Sequence, residues 1–141
     1  MAKINFYTEA CSFRLKNKTL HRKWISETIA NEGFQLDELN FIFCTDEYLL
    51  EVNRNYLQHD YYTDVITFDN SEQQGSILGD IFISIDRVRD NARSLKQQSD
   101  TELDRVMVHG TLHLLGYKDK STKDQKLMTQ KEDYYLSKRE H

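Results

Sequence analysis

The chain has 141 residues, 38% of them hydrophobic and 30% charged, with a formal net charge of −4 and no proline. That balance suits one compact domain with a modest core, and no apolar run approaches the roughly 18 residues that a membrane span needs. The acidic surplus excludes indiscriminate nucleic-acid binding by the whole surface, so any such contact must come from a local basic patch. Cys11 and Cys44 have no paired-cysteine metal spacing, and the N-terminal MAKINFYTEACSF has no basic flank followed by a long apolar region. A reduced, cytoplasmic protein is the expectation.

In chain order, residues 3–8 and 11–15 read as extended, being rich in aromatic and β-favouring side chains. Residues 17–31 read as a helix, since Leu20, Trp24, Ile25, Thr28 and Ile29 recur at spacings of three and four, and Gly33 stops it. Arg14, Lys16, Lys18, Arg22 and Lys23 fall in a stretch without any acidic residue, from Ala10 to Ser26. A charge run of this kind is a solvated face or, in an acidic protein, a strip that contacts phosphates. Residues 36–44 form the next strand, and Asp46 caps a helix over 47–57. Thr63–Phe68 and Ile77–Ile85 are dense in β-branched residues and joined by a polar hairpin connection. Being apolar on both faces, they belong at the sheet centre under helices. Ser84 caps a helix over 85–97, Ser99 or Asp100 one over 101–115, and Ser121 or Thr122 one over 121–138. The expected fold is α/β: a small mixed sheet of about four strands flanked by helices, in one domain over 1–141.

The chemistry concentrates in His109–Asp119, HGTLHLLGYKD. His109 and His113 are four residues apart in an apolar run, which on a helix puts both rings on one face, one turn apart. Gly116 ends the helix, and Asp119 is the first acidic residue to return. Two imidazoles, one carboxylate and an open position describe a hydrolytic zinc site with one ion. Two half-buried, hydrogen-bonded histidines would show the same spacing. Gly110 stands where metalloproteases of the His-Glu-x-x-His type carry their base, so protease chemistry lacks that group. Asp64 and Asp80 interrupt the two apolar strands. Each is either a strand-end turn bond or an outer partner accepting the free ring N–H of a metal-bound histidine.

These segments resemble the YbeY endoribonucleases, bacterial metalloenzymes of ribosomal RNA maturation. Their signature is His-Gly-x-Leu-His-Leu-x-Gly-Tyr-Asp-His, matched here at His109, Gly110, Leu112, His113, Leu114, Gly116 and Tyr117. Their Thr-Asp-Val-x-x-Phe and Leu-Gly-Asp-Ile segments correspond to Thr63–Phe68 and Leu78–Ile81. Lys118 and Asp119 stand where the family has Asp and its third histidine, so the third ligand carries over by position. Leu57 stands where the family has an arginine taken to be important for cleavage, and Arg54, nearly one helical turn away, is the nearest substitute.

The resemblance implies a zinc-dependent endoribonuclease acting on single-stranded ribosomal RNA or the ribosome, in small-subunit maturation and quality control. The metal site would be His109, His113 and Asp119, with Asp64 and Asp80 supporting the chemistry and Arg14, Lys16, Lys18, Arg22, Lys23 and Arg54 contacting RNA. The ion would polarise a phosphoryl oxygen or lower the pKa of water. Two alternatives stay open: an RNA- or ribosome-binding module with a weakened active site, and a metal-dependent peptide hydrolase using Asp64 or Asp80 as base.

Overall fold

The computed structural model describes residues 3–141. Its elements run β1 (Ile4–Thr8), α1 (Lys18–Asn31), β2 (Gln35–Cys44), α2 (Asp46–Tyr56), β3 (Val65–Asp69), β4 (Ser76–Ser84), α3 (Ile85–Ser94), α4 (Ser99–Leu114) and α5 (Thr122–Leu136). The sheet is four-stranded in the order β1-β2-β4-β3, with β1, β2 and β4 parallel and β3 antiparallel to β4. The mixed α/β architecture expected from the sequence is therefore present.

Strand alternation decides the layers. Leu39, Phe41 and Phe43 of β2 and Ile77, Ile81 and Ile83 of β4 share one face, where they meet Trp24, Ile25 and Ile29 of α1, Met107 and Leu112 of α4, and Met128 and Tyr135 of α5. The other face is covered by α2, whose Leu49 and Val52 pack with Cys44 and Ile66. The β4 strand is central as expected, but β3 is an edge strand. Its apolar faces are covered by α4 and α2, and among the described residues it pairs with β4 alone, reached through the short 70–75 connection.

Two glycines seat α4. A Cβ on Gly110 would stand 2.9 Å from Ile81 Cγ2, and one on Gly79 2.6 Å from the Phe68 carbonyl oxygen. Any side chain at Gly110 would push α4 away from β4. The helix instead lies close against the β3–β4 ladder, which brings His109 and His113 to the sheet edge.

Residues 11–15 form no strand. Ala10 and Asn17 both have left-handed backbone, with φ of 61° and 58°, so the segment turns at each end instead of running along β1. Between them Leu15 is buried in the core. Helix starts match side-chain caps: Thr45, Ser84 and Ser121 accept from the N–H groups of Tyr48, Arg87 and Asp124. The cap of α2 is thus Thr45 rather than Asp46, whose carboxylate accepts from Ser84 Oγ and Arg87. Gln98 occupies the N-cap position of α4 without a side-chain bond, so neither Ser99 nor Asp100 caps it.

Candidate metal centre

Helix α4 carries His109 and His113 on one face with ring centroids 4.6 Å apart. Gly116 follows with φ 102°, a conformation that L side chains rarely adopt. Its N–H donates to the His113 carbonyl at 3.0 Å, and that of Tyr117 to Leu112 at 3.0 Å. The Tyr117 hydroxyl then donates to Oε1 of Glu32, the residue that ends α1, at 2.5 Å, which anchors the turn. The chain comes back with Asp119 Oδ2 at 3.2 Å from His113 Nε2 and 3.4 Å from His109 Nε2; the two ring nitrogens are 3.1 Å apart.

These separations can be tested against a metal. Ligand atoms about 2.0–2.1 Å from a tetrahedral zinc ion are roughly 3.3 Å from one another. The three donors meet that spacing, and nitrogen and carboxylate oxygen are the donor types zinc takes. The tautomer fits as well. His109 Nδ1 lies 2.6 Å from Glu132 Oε2 of α5, so Nδ1 carries the proton and the Nε2 lone pair faces the shared point. Glu132 is buried and also accepts from Arg105 Nη1 at 2.8 Å. Burial disfavours the charged His109 ring, but the hydrogen bond and charge of Glu132, with Asp64 and Asp119, outweigh it and hold the His109 pKa above the ordinary value.

The site opens into a groove of about 390 Å³ lined by Asn53, Leu57, His59, Tyr61, Asp64 and Thr67, besides the three donors. With that geometry in place, relatives can be weighed. A family profile described as Endoribonuclease YbeY matches residues 3–140. The chain belongs to the endoribonuclease YbeY family. An endoribonuclease YbeY of Cytophaga hutchinsonii is 53% identical over 136 residues, covering 96% of this chain and 95% of the relative. One of Porphyromonas gingivalis is 47% identical, covering 96% and 89%. The solution structure of TM1509 from Thermotoga maritima is similar at 28% identity with a TM-score of 0.67, covering 95% of this chain and 87% of that one.

Within this YbeY fold the remaining expected site residues divide. Asp64 lines the groove, and its carboxyl is raised above the ordinary range because burial outweighs the opposing charge of His109. Asp80 is not brought to the site. It lies on the α2 face of β4, bonded by Asn40 Nδ2 at 3.0 Å, whereas α4 packs on the opposite face through Ile81. The outer carboxylate behind a histidine is Glu132 instead. It was hidden in the charge run Lys131–Asp133, although Met128, Glu132 and Tyr135 fall on one buried stripe of α5. That spacing was the available signal.

The basic residues also separate. Arg14 and Lys18 stand near the end of β1, on the sheet edge opposite β3, three strand spacings or about 14 Å across. Arg14, Lys16 and Lys18 make no ion pair among the described residues. Arg22 donates to the Ile4 carbonyl and lies over the Phe6 ring, and Lys23 pairs with Glu140, so these two are engaged in the fold. Arg54 is exposed and paired with Asp60 and Glu51. Leu57, not Arg54, lines the groove.

Proposed function

We propose that this chain is a zinc-dependent, single-strand-specific endoribonuclease, acting in the cytoplasm on small-subunit ribosomal RNA in its maturation and in ribosome quality control, with 1–141 as one functional domain. The observation that carries the reading is the convergence of His109, His113 and Asp119 in an open groove, with Glu132 fixing the tautomer of His109. Family membership supports RNA as the substrate, since the relatives bear the name endoribonuclease. The free thiols of Cys11 and Cys44 suit a reducing compartment.

In this mechanism His109, His113 and Asp119 would hold the ion. When bound, a divalent ion there supplies a Lewis acid for a phosphoryl oxygen and for water. Glu132 keeps the His109 Nε2 lone pair directed at the site. Gly110 offers no base, so proton handling falls to Asp64, whose raised carboxyl pKa suits it to take a proton from water or a ribose hydroxyl. Thr67 supplies a polar atom along the groove wall.

Cleavage of single- and double-stranded RNA, with and without a chelator, tests the reading. Chelator-sensitive cutting of single strands only is expected, and its absence for any RNA ends it. One observation weighs against cleavage: no Lys or Arg lines the groove to steady a phosphate in the transition state. RNA retention without cleavage by the metal-loaded protein would select a binding-only module, and cleavage of a peptide instead would select the peptide hydrolase.

A further inference from the structure

The loop between α2 and β3 forms one wall of the metal groove and contributes Leu57, His59 and Tyr61. The rings of His59 and Tyr61 are stacked, with centroids 5.3 Å apart and planes 20° apart. The pair is held from two sides. The Tyr61 hydroxyl and His59 Nδ1 share a hydrogen bond at 3.1 Å, and the Tyr61 carbonyl accepts from Nδ2 of the buried Asn53 at 2.9 Å. Tyr61 is nonetheless 56% exposed, so a pre-ordered aromatic surface faces solvent beside the candidate ligands.

Electrostatics in this groove point away from phosphate capture. Asp64 and Asp119 line it, Lys and Arg do not, and the free cations Arg14, Lys16 and Lys18 lie by the far edge of the sheet. A polyanion can still be held there through its bases. Unpaired bases stack on aromatic side chains regardless of sequence, and paired ones are unavailable for it. We propose that His59 and Tyr61 form a platform that seats one unpaired base of the RNA beside His109, His113 and Asp119. The proposal rests on the endoribonuclease reading of the same site, and it supplies a physical origin for single-strand preference.

The competing explanation is that the pair only stiffens the loop. Steady-state cleavage of a single-stranded oligoribonucleotide, with an abasic nucleotide walked along it, separates the two. Tyr61→Leu keeps apolar volume but removes the ring, and should raise KM about tenfold, or ~1.4 kcal/mol of lost stacking, with kcat little changed. Tyr61→Phe keeps the ring and the Asn53 bond to the backbone carbonyl, and should recover most of what Tyr61→Leu loses. At one nucleotide position the abasic substrate should cost the wild type that same factor and cost Tyr61→Leu nothing further. The slope of log KM against log salt should not change, because no phosphate contact is lost. An unaltered KM in Tyr61→Leu, in a wild type that cleaves RNA, overturns the platform alone. So does a tenfold loss that is the same for every abasic substrate. A wild type without metal-dependent cleavage removes the platform and the endoribonuclease reading together.

Discussion

Among the described residues two clusters contain two histidines and one aspartate within ligand spacing, His109/His113/Asp119 and His21/Asp104/His141, and they are built to opposite ends. In the first, the supporting carboxylate lies behind a histidine. Glu132 accepts the hydrogen bond from His109 Nδ1–H, and the Nε2 lone pair in front faces His113 Nε2 and Asp119. In the second, the carboxylate itself is the hub. Asp104 accepts from His21 Nε2 at 2.7 Å, Arg139 Nη1 at 2.8 Å and His141 Nε2 at 3.1 Å, with its side chain 4% exposed. A guanidinium already neutralises it, and the three bonds tie the chain end to α1 and α4. The same residue types make a metal site when donors converge on a point and a clasp when they converge on a carboxylate.

The largest effect that tests this contrast is on metal content. His109→Ala and His113→Ala each remove one of three donors and should lose most of the bound zinc in elemental analysis. His21→Ala should retain it. Equal loss from both clusters would break the contrast.

The clasp should show itself in stability. Removing one partner of a buried ion pair costs about 3–5 kcal/mol, so Asp104→Asn should lower the melting temperature by roughly 10 °C while zinc content holds. The pH dependence has a definite sign. Burial raises the Asp104 pKa, but the hydrogen bonds from His21 and Arg139 and the charges of His21 and His141 more than reverse it, holding the carboxyl below its ordinary 3.8. A depressed carboxyl contributes stability above its unfolded pKa and loses it as pH falls through the folded one. The deficit of Asp104→Asn should therefore be full at neutral pH and shrink on acidification below about 3.8. A deficit independent of pH would mean that the ion pairs contribute nothing.

What the sequence disclosed follows from the range of the signals. The helical pattern around His109, the Gly116 stop and the strand alternation of β2 are local, and each is present in the fold. The partners that complete the clusters are remote in sequence: Glu132 reaches His109 across a turn and a second helix, and Asp104 reaches His21 from another element. The face of Asp80 was also not legible. A one-residue register choice decides it, and both faces of β4 are apolar beside it. Of the two turns that removed the strand over 11–15, Ala10 gives no sign of a left-handed backbone, whereas Asn17 is of a residue type enriched there.

Glu132 sharpens the contrast at the next scale. Glu132→Gln keeps the size but can present an amide N–H to His109, favouring the wrong tautomer. Loss of such an outer partner typically weakens metal affinity about 10–100-fold. Competition titration with a chromogenic chelator measures it, and affinity within about twofold of the wild type would deny Glu132 a role in the site.

The smallest effect is expected from restoring a histidine at the third position. Asp119 sits on the loop after Gly116 with its side chain 41% exposed, and its Oδ2 lies 3.2 Å and 3.4 Å from the two ring nitrogens. An imidazole reaches further from the backbone than an aspartate carboxylate, and the exposed loop has room to adjust. Asp119→His should therefore keep zinc, whereas Asp119→Ala should weaken binding strongly by removing a donor. The difference lies in charge: a carboxylate gives the ion a negative partner and imidazole a neutral one, so the histidine site is more electrophilic. Cleavage at neutral pH by Asp119→His should consequently rise a few-fold above the wild type rather than fall. If Asp119→Ala binds zinc as tightly as the wild type, Asp119 is no ligand, and the site rests on His109 and His113 alone.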